Sequence, residues 1–262
     1  MKTNVKPKWI KKPINKNESK SYTFWIYGIH AVSQALENSN RKKFQLQVTP
    51  NGLNKISNSL EFSQMIPQII DPRKFKPPID KQSIHQGVVL EVAPLKWESL
   101  SETCAPNKQI PVVILLDRVT DPHNVGAIIR TAQALGVRAV IAPQRYSAPE
   151  TGALAKSASG ALESLPYLQV PNLARAMRAL KEMGYLLVGL DQDSNVDLSE
   201  IYARKEIDPI AFILGSEGSG LRDLTKRLCD VIVTIRSAMN FGSLNVSNAA
   251  AIALFTAKEH LK

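Results

Sequence analysis

Val112-Val113-Ile114-Leu115-Leu116-Asp117-Arg118-Val119-Thr120-Asp121-Pro122-His123-Asn124-Val125-Gly126-Ala127-Ile128-Ile129-Arg130-Thr131-Ala132 changes its hydrophobic period halfway along, and that change decides the fold. The unbroken apolar run Val112 to Leu116 reads as a strand buried on both faces, as in a parallel sheet. Beyond Asp121 the apolar residues Val125, Ile128, Ile129, Ala132 and Leu135 fall on one helical stripe. Asp121-Pro122 is a helix start, because proline suits the first helical position and the Asp side chain accepts an otherwise unpaired N–H. The same texture continues downstream. Short apolar runs, Ala139 to Ala142, Tyr185 to Leu190, Ile210 to Leu214 and Val231 to Ile235, alternate with helical patterns such as Asn172 to Met183, which Asn172 can cap and Gly184 can close. The expected architecture from about residue 110 onward is α/β, with a doubly wound parallel sheet.

Upstream the texture differs. Residues 96–110 mix Pro, Ser, Glu and Lys without a period and read as a linker. Residues 21–95 read as a small α/β module, with a helix over Ile29 to Glu37 and strands at Phe44 to Val48 and Gly87 to Val92. A polar stretch punctuated by Pro67, Pro72, Pro77 and Pro78 lies between them and shows no order. Residues 1–20 hold seven Lys and one Glu, which places +6 of the chain's +10 formal charge in one short segment. Such a segment is either an electrostatic arm for a polyanion or a solvated tail.

Across all 262 residues there are 33 Lys+Arg against 23 Asp+Glu, which makes nucleic acid the first partner class to consider. No apolar stretch approaches the roughly 18 to 20 residues of a membrane span, so no membrane partner is expected. Cys104 and Cys229 form no CxxC, and His30, His85, His123 and His260 show no metal-ligand spacing. Neither a disulfide framework nor a metal site is expected, and a reducing cytoplasmic setting fits.

Three clusters follow expected strands, where open α/β sheets bind ligands. In the first, Asn124 and Arg130 serve either a ligand or plain capping and ion pairing; Gly126, one turn before Arg130, leaves room for a ligand to approach the guanidinium. In the second, Ile213 to Leu221, a glycine-rich turn brings backbone N–H groups near a ligand, and Glu217 is either functional or a helix-capping carboxylate. In the third, Ile235 to Asn248, Ser243 and Asn245 either orient a polar substrate or cap the small-residue helix that follows. No Ser-His-Asp or Cys-His set can be assembled, and His85 and His123 read as structural.

Taken in order, DPHNVGAIIRTA (121–132), LGSEGSGL (214–221) and SLNVSNAAAIALF (243–255) resemble the three signature motifs of the SpoU (TrmH) family of RNA ribose 2′-O-methyltransferases, in the SPOUT superfamily. Residues 111–262 carry this resemblance. The front module, through Tyr27-Gly28-Ile29-His30-Ala31-Val32 and His85-Gln86-Gly87-Val88, resembles more loosely the ribosomal-protein-like RNA-binding domain found ahead of the catalytic domain in the members that methylate guanosine in 23S ribosomal RNA. The resemblance implies a deep trefoil knot in the C-terminal domain, a homodimer, and S-adenosylmethionine held against Gly215, Ile235 and Leu244. It also nominates Asn124, Arg130, Glu217, Ser243 and Asn245 as catalytic residues. Because a guanidinium donates hydrogen bonds and accepts none, Arg130 is expected to hold a phosphate and the developing alkoxide. Asn124, Ser243 and Asn245 then position ribose and Arg130, and Glu217 orients the loops. Ribosomal RNA is the expected substrate. Transfer RNA, a silent RNA-binding or ribosome-assembly protein of the same fold, and an ordinary nucleotide-binding enzyme are the rivals. The last is disfavoured because no glycine-rich turn follows Val112 to Leu116.

Overall fold

The computed structural model describes residues 22–106, 110–203, 208–236 and 243–260. The basic segment 1–20 and residues 237–242 of the third cluster therefore lie outside the described residues. The front module runs β1 (Phe24–Tyr27), α1 (Ile29–Glu37), β2 (Lys43–Val48), α2 (Pro50–Glu61), β3 (Gln68–Ile69) and β4 (Val88–Val92). Its sheet has the order β1-β4-β2-β3, with β4 antiparallel to both neighbours and β3 parallel to β2. In α1 the buried residues Ala31, Val32, Ala35 and Leu36 recur at helical spacing, as expected. Helix α2 was not anticipated. It starts because Pro50 takes the first position and the Thr49 hydroxyl accepts from Gly52 N at 3.1 Å, while its interior is mostly polar.

Next come α3 (Leu100–Thr103), β5 (Val112–Asp117), α4 (Pro122–Ala134), β6 (Ala139–Pro143), α5 (Gly152–Ala158), β7 (Tyr167–Val170), α6 (Leu173–Glu182), β8 (Leu186–Leu190), β9 (Ile210–Gly215), α7 (Asp223–Leu228), β10 (Val231–Val233) and α8 (Val246–His260). The six-stranded sheet has the order β10-β8-β9-β5-β6-β7, and every pairing in it is parallel. Both faces are covered, which is why β5 is apolar from Val112 to Leu116. Ile114 and Leu116 join one core with α4, α5 and α8, whereas Val113 and Leu115 join a second core with α6. Strand β7 went unforeseen, being short, interrupted by Gln169 and at the sheet edge.

The first core continues without a break into the front module, through Phe24, Ile26, Val32 and Leu36. At this junction the Arg41 side chain is fully buried; it meets Glu163 at 2.7 Å, Glu150 at 3.2 Å and the Ala93 carbonyl at 2.8 Å. Burial pushes the Glu150 carboxyl above the usual range, and the Arg41 charge opposes that shift. The stretch 96–110, read as a linker, holds helix α3, started by a reciprocal Ser99–Glu102 capping box. Trp97, Leu100 and Cys104 dock it on the second core, and the Tyr185 hydroxyl donates to the Cys104 carbonyl at 2.7 Å.

Candidate active site

The parallel register places Asp117 opposite Gly215, so the first two motifs leave the sheet side by side at its carboxyl edge. Asp117 is fully buried and accepts from Arg222 Nε at 2.7 Å, Arg222 N at 3.2 Å and Thr225 Oγ1 at 2.7 Å, which ties α7 to β5. The Asp121 side chain accepts from His123 N at 3.0 Å and starts α4 as expected, placing Asn124 on the first turn.

Three expected site residues meet there. Asn124 Nδ2 donates to Glu217 Oε1 at 3.0 Å, and Asn245 Nδ2 donates to the same oxygen at 2.6 Å and to Asn124 Oδ1 at 3.1 Å. Each comes from a different motif. Asn245 Oδ1 in turn accepts from Ser247 N at 2.9 Å and Ser247 Oγ at 2.6 Å, so this residue both caps α8 and joins the cluster. Glu217 caps no helix, since α7 begins only at Asp223. Its loop doubles back through an isolated bridge between Ser216 and Gly220. A Cβ on Gly215 would lie 2.2 Å from the Gly220 backbone, so a side chain at Gly215 would force the turn open.

Beside the cluster lies a pocket of about 600 Å³, a volume suited to a nucleoside-sized ligand. Leu214, Gly215, Ile235 and Leu244 line it, so the three residues assigned to the cofactor share one wall system; Glu217 and Ser243 stand at it too. Asp191 also lines it, just beyond β8, and receives Lys226 Nζ at 2.6 Å. That carboxylate holds the Lys226 ammonium above the usual lysine range. Sequence reasoning missed Asp191, although a carboxylate directly after a buried parallel strand is itself a signal.

Arg130 stands apart. It is exposed, makes no ion pair or hydrogen bond among the described residues, and sits six positions beyond Asn124, about 9 Å along the helix and on another face. The expected room at Gly126 is absent: a Cβ there would lie 2.5 Å from Ser157 Cβ and 2.7 Å from the Leu154 carbonyl, because α5 packs directly on this face of α4. Gly126 therefore serves helix packing. His123 Nδ1 pairs with Ser157 Oγ at 3.0 Å, and His85 Nδ1 accepts from Gly87 N at 3.0 Å. Burial pushes the Cys104 thiol up to about 11 and the Cys229 thiol up to about 12, which makes both poor nucleophiles. No group of His, Cys, Asp or Glu among the described residues is arranged to hold a metal ion, and no helix there is long and apolar enough to cross a membrane.

Residues 111–255 match the SpoU rRNA Methylase family. A 23S rRNA (guanosine-2′-O-)-methyltransferase of Vibrio vulnificus is 39% identical over 247 residues, covering 89% of this chain and 95% of that protein. The protein of the same name from Escherichia coli is 36% identical over 239 residues, covering 88% and 96%. Among solved structures, the SpoU methyltransferase AviRb from Streptomyces viridochromogenes, determined in complex with AdoMet, superposes with a TM-score of 0.75 at 26% identity and 90% coverage of each chain. With its parallel sheet, its three motifs meeting at one edge and these matches, the chain belongs to the SpoU rRNA methylase family.

Proposed function

We propose that this chain transfers a methyl group from S-adenosylmethionine to the ribose 2′-hydroxyl of a guanosine in large-subunit ribosomal RNA, acting as a cytoplasmic homodimer. The observation that carries the reading is the Asn124–Glu217–Asn245 cluster at the mouth of the pocket. The close relatives' names supply the substrate.

The pocket suits the cofactor. Leu214, Ile235 and Leu244 offer apolar walls for an adenine, and Asp191 offers an acceptor for hydroxyl or ammonium groups. When bound, S-adenosylmethionine supplies an electrophilic methyl on a sulfonium. The chain's own residues supply alignment. Asn124 and Asn245 hold Glu217 in one orientation, and Ser243 at the pocket positions the ribose. Arg130, which stands apart from this cluster in its own chain, is brought to the reacting ribose across the interface of the proposed homodimer, where it holds an RNA phosphate and stabilises negative charge as it develops. In this reading residues 21–95 bind RNA, residues 96–110 connect the two parts, and residues 111–262 form the catalytic domain, with the deep trefoil knot of its family. The exposed Ile252 and Phe255 on α8 mark the surface that a second copy covers.

Labelled methyl transfer to undermodified large-subunit ribosomal RNA, with transfer RNA in parallel, tests the proposal. Incorporation into ribosomal RNA alone is expected, with loss in Arg130→Ala. Incorporation only into transfer RNA overturns the substrate, and absence of cofactor binding overturns the enzyme.

A further inference from the structure

Arg118 and Tyr146 are exposed residues with left-handed backbones, at φ 63° and φ 62°, although neither is glycine. Such conformations are strained and persist only where the surroundings impose them. Both stand at the carboxyl edge of the six-stranded sheet: Arg118 directly follows Asp117, the neighbour of Gly215 in the pocket wall, and Tyr146 lies three residues past the end of the adjacent strand β6. The Arg118 guanidinium carbon lies 5.2 Å from the centre of the Tyr146 ring.

Their supports are firm. On one side are the fully buried Asp117 and the buried Val119. On the other, Gln144 N donates to the Val170 carbonyl at 2.8 Å, the Ser147 hydroxyl donates to the Pro143 carbonyl, and the fully buried Ala148 receives the Tyr167 hydroxyl at 2.7 Å. Yet Tyr146 itself is 69% exposed. The guanidinium lies over the ring, and most of the tyrosine surface remains open to solvent. The fold thus holds an aromatic ring and a guanidinium rigidly outward, gaining little apolar burial from either.

We propose that Arg118 and Tyr146 form a stacking platform for an unpaired RNA base next to the methylated ribose. RNA is recognised largely through splayed bases laid on aromatic and arginine planes, and a preset ring loses little freedom on binding. The pocket beside it, at about 600 Å³, has room for a nucleoside-sized ligand and not for a run of nucleotides, so flanking bases need purchase elsewhere on the same rim. The platform lies across β5 from the pocket, where a neighbouring nucleotide would pass. It is a substrate-binding feature and takes no part in the chemistry.

This inference rests on the proposed RNA methyltransferase activity. The test measures KM for undermodified ribosomal RNA, kcat, cofactor affinity and melting temperature for wild type, Tyr146→Phe, Tyr146→Ala and Tyr146→Gly. Loss of one stacked base raises KM in Tyr146→Ala roughly tenfold or more, with cofactor affinity unchanged, whereas Tyr146→Phe keeps the ring and stays near wild type. Tyr146→Gly separates binding from structure. It relieves the backbone strain, so its melting temperature equals or exceeds that of wild type while its KM rises as in Tyr146→Ala. An unchanged KM in Tyr146→Ala, with wild type active on ribosomal RNA, overturns the platform alone. A melting temperature that falls in Tyr146→Gly, with KM unmoved, assigns the ring to structure and also overturns it. A wild type inert on every RNA overturns the methyltransferase reading and the platform with it.

Discussion

Glu217 Oε1 receives two amide N–H groups, one from the start of α4 and one from the start of α8. A side chain held from two elements keeps its orientation without a ligand, which is the economy of a preorganised site. Glu217→Gln keeps an oxygen able to accept both N–H groups but removes the negative charge that strengthens those bonds, and so loosens both asparagines. The expected result is a fall in kcat of roughly a hundredfold, with cofactor affinity, measured by calorimetric titration, much less affected. None of these contacts was legible locally, because Asn124 and Glu217 are 93 residues apart and Glu217 and Asn245 are 28 apart. The residue types could be nominated by motif, but not their bonding. His85 makes a second prediction at this scale. Burial holds its imidazole below the ordinary value of 6.5, and its Nδ1 must stay an acceptor for Gly87 N. The unfolded chain therefore binds the proton more readily than the fold does. Stability contributed by neutral His85 is present above pH 6.5 and is lost as the pH falls from there toward the lower folded value. Urea midpoints at mildly acid and at neutral pH should diverge less in His85→Gln than in wild type.

Among the elements, β5 and α4 were readable because a run buried on both faces gives way abruptly to a single helical stripe. Helix α2 was not, since its inward residues, Leu53, Ile56 and Leu60, are diluted by polar neighbours and its start depends on one threonine hydroxyl. Trp97, Leu100 and Cys104 stand three and four residues apart, a helical face too short for periodicity to reveal beneath its prolines. Gly126 shows the limit most clearly. An open place for a ligand and a close approach of two helices make the same demand on sequence, namely no side chain, and only the packing of α5 distinguishes them. Gly126→Ala drives a methyl into Ser157 and the Leu154 carbonyl and should cost about 1–3 kcal/mol in denaturant unfolding. Stability unchanged by this substitution would mean that α4 and α5 part easily.

At the scale of the whole molecule, the front module and the six-stranded sheet share one apolar core, with Arg41 in that shared wall between Glu150 and Glu163. Removing a buried ion-pair partner leaves the others uncompensated, so Arg41→Ala should destabilise the chain by about 3–5 kcal/mol. It should also make the front module the first part to lose protection in hydrogen exchange. The parallel α/β architecture was legible from hydrophobic runs alone, whereas the docking of the two modules was not, because Arg41, Glu150 and Glu163 lie in different modules and each reads as a surface charge. That docking fixes the front module relative to the site where three motifs converge. The direct test of the account is nucleoside analysis of undermodified large-subunit ribosomal RNA after incubation with S-adenosylmethionine and either wild-type or Glu217→Gln protein. One new 2′-O-methylguanosine with wild type, sharply reduced with the variant, is the predicted result. Methylation on a base, or equal ribose methylation by both proteins, would contradict it.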